Sequence, residues 1–475
     1  MDSSKFKYFT FFLIGLFLLF GQIGEAQIVG TPYMMTGKIP PCLDKNTSGT
    51  DFLFTYGEAY GDLVNSFELQ IVTKESNNVS ITLPTNQTYN FTMSANSIKQ
   101  INFGTYEGAG NADVRNSIYL NAATGIIINK TIRVTSTSPI SLYQYNGASG
   151  SVATSLVVPT ALWGTEYYNV SYKSNNKGNT LNSANTNEII IANENNTIIT
   201  LPDNTTTTLN AGDLFVTVAD RTDYTGRHIT ANRPIGYIAN LAITNIPEDQ
   251  DSGDSMFEWM MPTSQWGNAF LIPNIRLNAS QPGTRIRIFA SEDETKITYF
   301  SAAPIAVAGS TFTNAGGILN KEQWVELQMN NASENTNCYI YTDKPVAVVS
   351  YITGTGILGD PAMTWAPALD QAVGRVSVAP FIRSSNDALT HKMLIITKTS
   401  DKTFTTLNGT ALTSGWSDLG GSGSSVYRYT FTNSTDFGKV FNVENLSAGV
   451  TVLMYGYSDI AAYSYNAGSG GCTHL

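Results

Sequence analysis

A chain of 475 residues with a net charge of −10 and only 13% charged residues offers no attraction to a phosphate backbone, which argues against a nucleic-acid partner. Three cysteines and three histidines are too few for a disulfide-stapled scaffold and speak against a zinc site or a His-based catalytic triad. Asn, Thr, Ser, Gly and Tyr supply the polarity that charge does not, a surface common among extracellular β proteins.

The first 26 residues place Lys5 and Lys7 ahead of an apolar run from Tyr8 to Phe20 and then Gly24-Glu25-Ala26. That order reads as a secretory signal peptide cleaved near Ala26; the run falls short of the roughly 20 apolar residues of a membrane span. No later stretch is apolar enough to cross a bilayer, so the mature chain is expected to be exported and soluble. The remaining residues exceed what one core organises. They divide into an N-terminal extension over 27–48, then β modules over 49–158, 159–261, 262–366 and 367–475, the last with a C-terminal tail.

Alternation marks strands along the whole chain and helical stripes are scarce. In module 1, GTDFLF opens at Gly49, TKESNNVSITL over Thr73–Leu83 reads as a hairpin, and STSPISLYQYNG carries Pro139-Ile140. Module 2 opens on PTALWGTEYY at Pro159, follows with the hairpin ANENNTIITL, and carries Pro234-Ile235 in TANRPIGYIANL. Module 3 repeats the order with PTSQWGNAF at Pro262, ASEDETKITY, and Pro345-Val346. Module 4 contains TKTSDKTFTTL and LSAGVTVLMYGYSD, a copy near Val450 without the proline. Gly49, Gly164, Gly267 and Gly374 mark the four module starts, and each proline is expected to begin a strand, where no ladder donor is lost. The Trp of P-T-x-x-W-G, Trp163 and Trp266, is read as a plug where modules meet; a ligand platform is the rival reading.

Several motifs carry candidate chemistry. Gly354-Thr355-Gly356-Ile357-Leu358-Gly359 formally matches G-x-G-x-x-G, but Pro361 and Pro367 prevent the helix a dinucleotide needs, so it is a turn and no cofactor is expected. The acidic loop PEDQDSGDS, Pro247–Ser255, holds a weak calcium candidate in Asp249, Asp251 and Asp254, beside Glu248; the spacing is not that of an EF-hand. Cys338 alternates within a strand and reads as buried, whereas Cys42 and Cys472 pair if the two ends of the mature chain meet. With His228, His391 and His474 scattered, no catalytic residue is assigned. N-x-(Ser/Thr) sequons stand at Asn46, Asn78, Asn86, Asn90, Asn129, Asn169, Asn195, Asn204, Asn278, Asn331, Asn408, Asn433 and Asn445, acceptors for glycans in a eukaryotic secretory path.

These residues resemble the N-terminal domain of the IgG Fc-binding protein family. The resemblance rests on GTDFLF, on P-T-x-x-W-G-x-x-(Tyr/Phe), on the S-x-P-I-S-L-Y line, and on GDSMFEWMMPTSQWGNAF beside GDPAMTWAPALDQAVGRV, and it spans Asn46 to Asn466. It implies a secreted, non-enzymatic recognition domain, here without the von Willebrand type D modules that other members carry. Where many relatives have an acidic-histidine pair before E-Q-x-P-P, this chain has Gly253-Asp254-Ser255 and Glu258-Trp259.

The expected fold is therefore all-β, about four tandem β-sandwich-like repeats of roughly 100 residues each, with blades around one axis as the rival arrangement. The expected function is binding of extracellular glycoproteins or glycans, immunoglobulin Fc or mucin among them, with no enzyme activity and no membrane span after signal cleavage. A structural role in an extracellular coat or mucus layer is the second reading. A hydrolase using an Asp/Glu pair in a cleft is the third.

Overall fold

The computed structural model describes residues 46–471 except 60–63, 104–110, 121, 149–150, 176–183, 278–281, 302–304, 309–315, 330–332, 335, 355–357, 382–389, 420–421 and 459–460. The segment expected to be a signal peptide, Cys42, Cys472 and His474 lie outside these residues. Among the described residues nearly every element is a strand, and the longest α-helix is the eight-residue Asn111–Ile118.

The first three sheets are each organised around one long strand: Ile132–Ala148, His228–Asn245 and Asn337–Ile352. Its first half pairs with the module's opening strand and with an outer hairpin. Its second half pairs with a central strand and with a last, axial strand. Pro139, Pro234 and Pro345 sit in the middle of these strands, where the pairing with the opening strand slips from Ile140 to Thr135, from Ile235 to Thr230, and from Val346 to Tyr341. The prolines thus occupy irregular stretches of a continuous strand and not strand starts. The effect is the one that tolerates proline at an edge or a bulge, since no regular ladder donor is removed there.

Module 4 departs from this plan. The corresponding strand is broken into Phe441–Glu444 and Thr451–Tyr457, so its strands form a four-stranded and a five-stranded sheet. Gly449, at φ +73°, stands in the break where the other copies have proline. One segment also crosses a module border: Gly125–Ile127, from the first module's stretch of sequence, adds an edge strand to the second module's sheet beside Leu214–Val216.

The modules close into a ring. The axial strands Ser151–Leu156, Gly253–Trp259, Ala362–Trp365 and Ala462–Gly468 are buried on both faces, with Gly253 alone half-buried. The first packs against the second and the fourth, and the third against the second and the fourth, so the four surround one axis. The space left among them is about 10 Å³, no more than a water molecule needs. Three core clusters cross module borders: one runs from Phe52 through Trp163 and Trp259 to Trp365, another joins Tyr143 and Val152 to Val376 and Tyr463, and a third joins Leu271 and Tyr339 to Leu394 and Tyr455, while a further cluster from Phe270 to Val348 fills module 3. The ring is sealed where module 4 meets module 1. Tyr145 stacks on Phe381 with centroids 4.3 Å apart, Tyr143 donates to the Ala467 carbonyl at 2.8 Å, and the Thr47 amide donates to the Ser469 carbonyl at 2.9 Å.

Candidate recognition surfaces

The repeated P-T-x-x-W-G motif builds the ring: its Pro and Trp are buried, and Ala161 and Ser264 are its exposed positions. Pro159 and Pro262 each lead into a single 3-10 turn, Thr160–Leu162 and Thr263–Gln265. Trp163 and Trp266 follow, buried, donating Nε1–H to the carbonyls of Val158 and Met261 at 3.2 and 3.1 Å. Each indole lies near the Trp that ends the same module's axial strand, Trp163 by Trp259 at 6.0 Å and Trp266 by Trp365 at 6.4 Å. Their place in the interior fits the plug and leaves no platform for a ligand.

The glycine has a packing reason. A Cβ on Gly49 would stand 2.5 Å from the Cβ of Pro159, one on Gly164 2.4 Å from that of Pro262, and one on Gly267 2.3 Å from that of Ala368. Each motif therefore rests on the glycine of the motif before it. The threonine makes the same step: Thr160 donates to Asp51 at 2.8 Å and Thr263 to Glu166 at 3.3 Å. Gln265 reaches the Leu162 carbonyl, Gln371 the Gln265 carbonyl, and the Gly470 amide the Gln371 carbonyl. The fourth position is Val373, paired with Val450 as Gly267 is with Val346; the assignment to Gly374 is one residue late. No later motif follows Val373 to press on it, so a side chain is tolerated there.

The acidic loop is split by burial. Glu248, Asp249 and Asp251 are exposed, and Glu248 pairs with Lys173 at 2.7 Å. Asp254 points inward, fully buried, and its Oδ1 accepts from the Ser151 hydroxyl and from the Val152 and Ser255 amides at 2.6 and 2.7 Å. The structure therefore does not bring Asp249, Asp251 and Asp254 together, and among the described residues no group of three acidic, His or Cys side chains could hold a metal. This corrects the calcium candidate: Asp254 lies on an axial strand, where alternation turns it to the interior. Gly359, at φ +71°, leads through Asp360 and Pro361 into the strand Ala362–Trp365, so no helix follows the glycine-rich turn.

Among the sequons, Asn78, Asn86, Asn90, Asn129, Asn195, Asn204 and Asn408 are exposed and Asn46 is half-buried. Asn86, Asn204 and Asn408 share φ between +51° and +65° at the tips of outer hairpins, a conformation asparagine adopts more readily than most residues. Asn169 and Asn445 are buried, and the Asn445 amide donates to the Asp401 carbonyl and the Thr405 hydroxyl at 3.0 Å. The fold removes these two as acceptors. Asn278 and Asn331 lie outside the described residues, as does the side chain of Asn433.

His228 stacks on Tyr168 and meets Glu166 at 2.9 Å, while His391 is buried against the Tyr463 hydroxyl. The two are on different modules and join no nucleophile. Cys338 is buried, and burial pushes its thiol up to about 12, which makes it unreactive. The open grooves lie on the outer hairpins. One of about 460 Å³ in module 1 is lined by Asn78, Ser80, Asn90, Thr92 and Thr135 together with the side chain of Phe91. Another of about 580 Å³ in module 2 is lined by Leu201, Pro202, Phe215 and Arg227.

The burial of Glu258 and Asp360 was not legible in the sequence. Glu258 lies within the axial strand Gly253–Trp259 and Asp360 just before Ala362–Trp365, and their burial follows from the packing of neighbouring modules.

The grooves on the outer hairpins are open and mix polar with apolar side chains. The family model of the IgGFc binding protein matches residues 30–221 and 153–456, two overlapping matches that together span most of the sequence. The chain belongs to that family, a family of binding proteins. No curated protein matches it. A solved structure described as the tetra-tandem repeat in the extending region of a large adhesion protein aligns over 88% of this chain and 98% of its own, at 9% identity and a TM-score of 0.10; a likeness at that score carries no argument.

Proposed function

We propose that this protein is a secreted, non-enzymatic recognition protein that binds extracellular glycoproteins or glycans, immunoglobulin Fc or mucin among them, through its outer hairpins and the exposed part of the Pro247–Ser255 loop. Membership of a binding family carries the reading. The distribution of polar groups supports it: the repeated motif is spent on closing the ring, and the hydroxyl and amide side chains face outward on the hairpins. Polar, hydrogen-bonding surfaces of modest depth suit protein and glycan partners. The buried pair Asp254 and Asp360 is closed off from solvent, so it does not offer the open cleft that the hydrolase reading needs. In a eukaryotic secretory path the exposed sequons at Asn78, Asn86, Asn90, Asn129, Asn195, Asn204 and Asn408 carry glycans, which glycopeptide mapping of the secreted chain checks.

The binding experiment immobilises the secreted protein, exposes it to mucins, matrix glycoproteins and IgG Fc, and identifies what is retained. Selective retention of one partner, reduced when Glu248, Asp249 and Asp251 are together replaced by Ser, supports the reading and locates a face. These three are exposed, so the replacement leaves the axial contacts of Ser252 and Asp254 intact. Retention of nothing except further copies of the chain favours a structural role in a coat or mucus layer.

A further inference from the structure

The axial strand of module 2 carries two acidic side chains four residues apart, and each meets a serine on the axial strand of module 1. Asp254 takes the hydroxyl of Ser151, and Glu258 takes that of Ser155 at 3.0 Å. The Ala462 amide of module 4 approaches the second oxygen of Asp254 at 3.5 Å, and Asp360, which leads into the axial strand of module 3, accepts from Ser252. Carboxyls thus fasten two of the four axial joints, module 1 to 2 and module 2 to 3; Asp254 also reaches across the axis to module 4, and Thr364 to Ser464 fastens module 3 to module 4.

We propose that the axis of the ring is an acid-stabilised clasp, in which protonated Glu258 and Asp254 hold modules 1 and 2 together and the joint loosens as pH rises past neutrality.

Among the described residues the neighbours of these carboxyls offer no cation. The axial strands of modules 1 and 3 have no titratable side chain, that of module 4 adds only Tyr463 and Tyr465, and residues 238–245 of the paired long strand add none. Both tyrosines are fully buried and held above the ordinary phenol range by burial, so they stay neutral. The one charge acting on Asp254 is the carboxyl of Asp360. A carboxylate without a cation in a dry interior is penalised, and the neutral acid is favoured. Burial pushes Glu258 up to about 8, against the opposing pull of Ser155 and the neighbouring backbone amides. Burial and then Asp360 push Asp254 well above the carboxyl range, and Asp360 itself is pushed up to about 6 by burial.

In the unfolded chain all three ionise near pH 4. Their neutral folded forms therefore contribute stability that is fully present below about pH 4 and lost as pH rises through about 6 and about 8. Over the interval from pH 6.5 to 8.5 Glu258 and Asp254 carry the change, since Asp360 titrates below it.

The test is hydrogen exchange of peptides covering Ser151–Leu156 and Gly253–Trp259, corrected for the intrinsic effect of pH, together with denaturant unfolding at pH 6.5 and 8.5. The wild-type opening constant is expected to rise about tenfold or more over that interval, and Glu258→Gln, which keeps an acceptor for Ser155, to reduce the rise to the part carried by Asp254. If Glu258→Gln does not fold, Ser155→Ala serves: losing a donor to the carboxylate moves the transition to higher pH. Equal wild-type protection at the two pH values, or a full rise retained in Glu258→Gln, overturns the proposal.

Discussion

Gly164 and Gly267 show how one missing methyl organises a repeat protein. Neither has a positive φ, so neither is required by backbone conformation; each is required because another module's Cβ occupies the space, 2.4 and 2.3 Å from where its own would be. Gly164→Ala is expected to destabilise the protein by about 1–3 kcal/mol through overpacking. Adding Pro262→Gly removes the opposing Cβ, and a double-mutant cycle by urea denaturation is expected to show coupling between the two sites. Additive losses would place the strain elsewhere. Asn204 is the opposite case, a residue whose backbone sets the choice. At φ +65°, Asn204→Val is expected to cost about 1–2 kcal/mol and Asn204→Gly to be nearly neutral, read from the same denaturation midpoints.

Among the elements, the strand Thr390–Lys398 of module 4 brings His391 into the core against Tyr463 and Phe437. Burial lowers its imidazole to about 4. A lowered histidine favours the neutral form, so its contribution is complete above about pH 6.5 and is lost as pH falls from there to about 4. That is the reverse of the axial carboxyls. Fluorescence-monitored unfolding of His391→Gln is expected to lose the acid limb of the stability profile between pH 4 and 6.5 and to keep the alkaline one. The strands themselves were legible in the alternation of apolar residues. The long strands were not legible as single elements, because a proline in mid-run reads as a boundary until the irregular pairing around it is seen.

For the whole molecule, closure is the consequential property. Cores shared across every module border predict one cooperative unit, so calorimetry is expected to show a single transition, and a chain ending after residue 366, which lacks module 4, to show no cooperative melting. Four independent transitions would mean that the borders contribute little. Closure also bears on the cysteines. Asn46 pairs with Gly470, so the described ends meet, and the expected bond between Cys42 and Cys472, both outside the described residues, is checked by non-reducing peptide mapping. A linked peptide is the expected outcome; two free thiols would exclude it.

Sequence alone determined what depends on neighbours along the chain: the strand-rich composition, the four repeats, the turn asparagines and the family, since alternation and repetition are local or periodic signals. It also contained the glycine and proline of the motif, but their meaning is a contact between residues about 100 positions apart. Which carboxyls face the axis, which sequons are buried, where the fourth motif truly starts and that the repeats close on themselves were decided by tertiary structure. The physical reason is that burial is set by what packs against a strand face, and in this ring the packing partner of each module is another module.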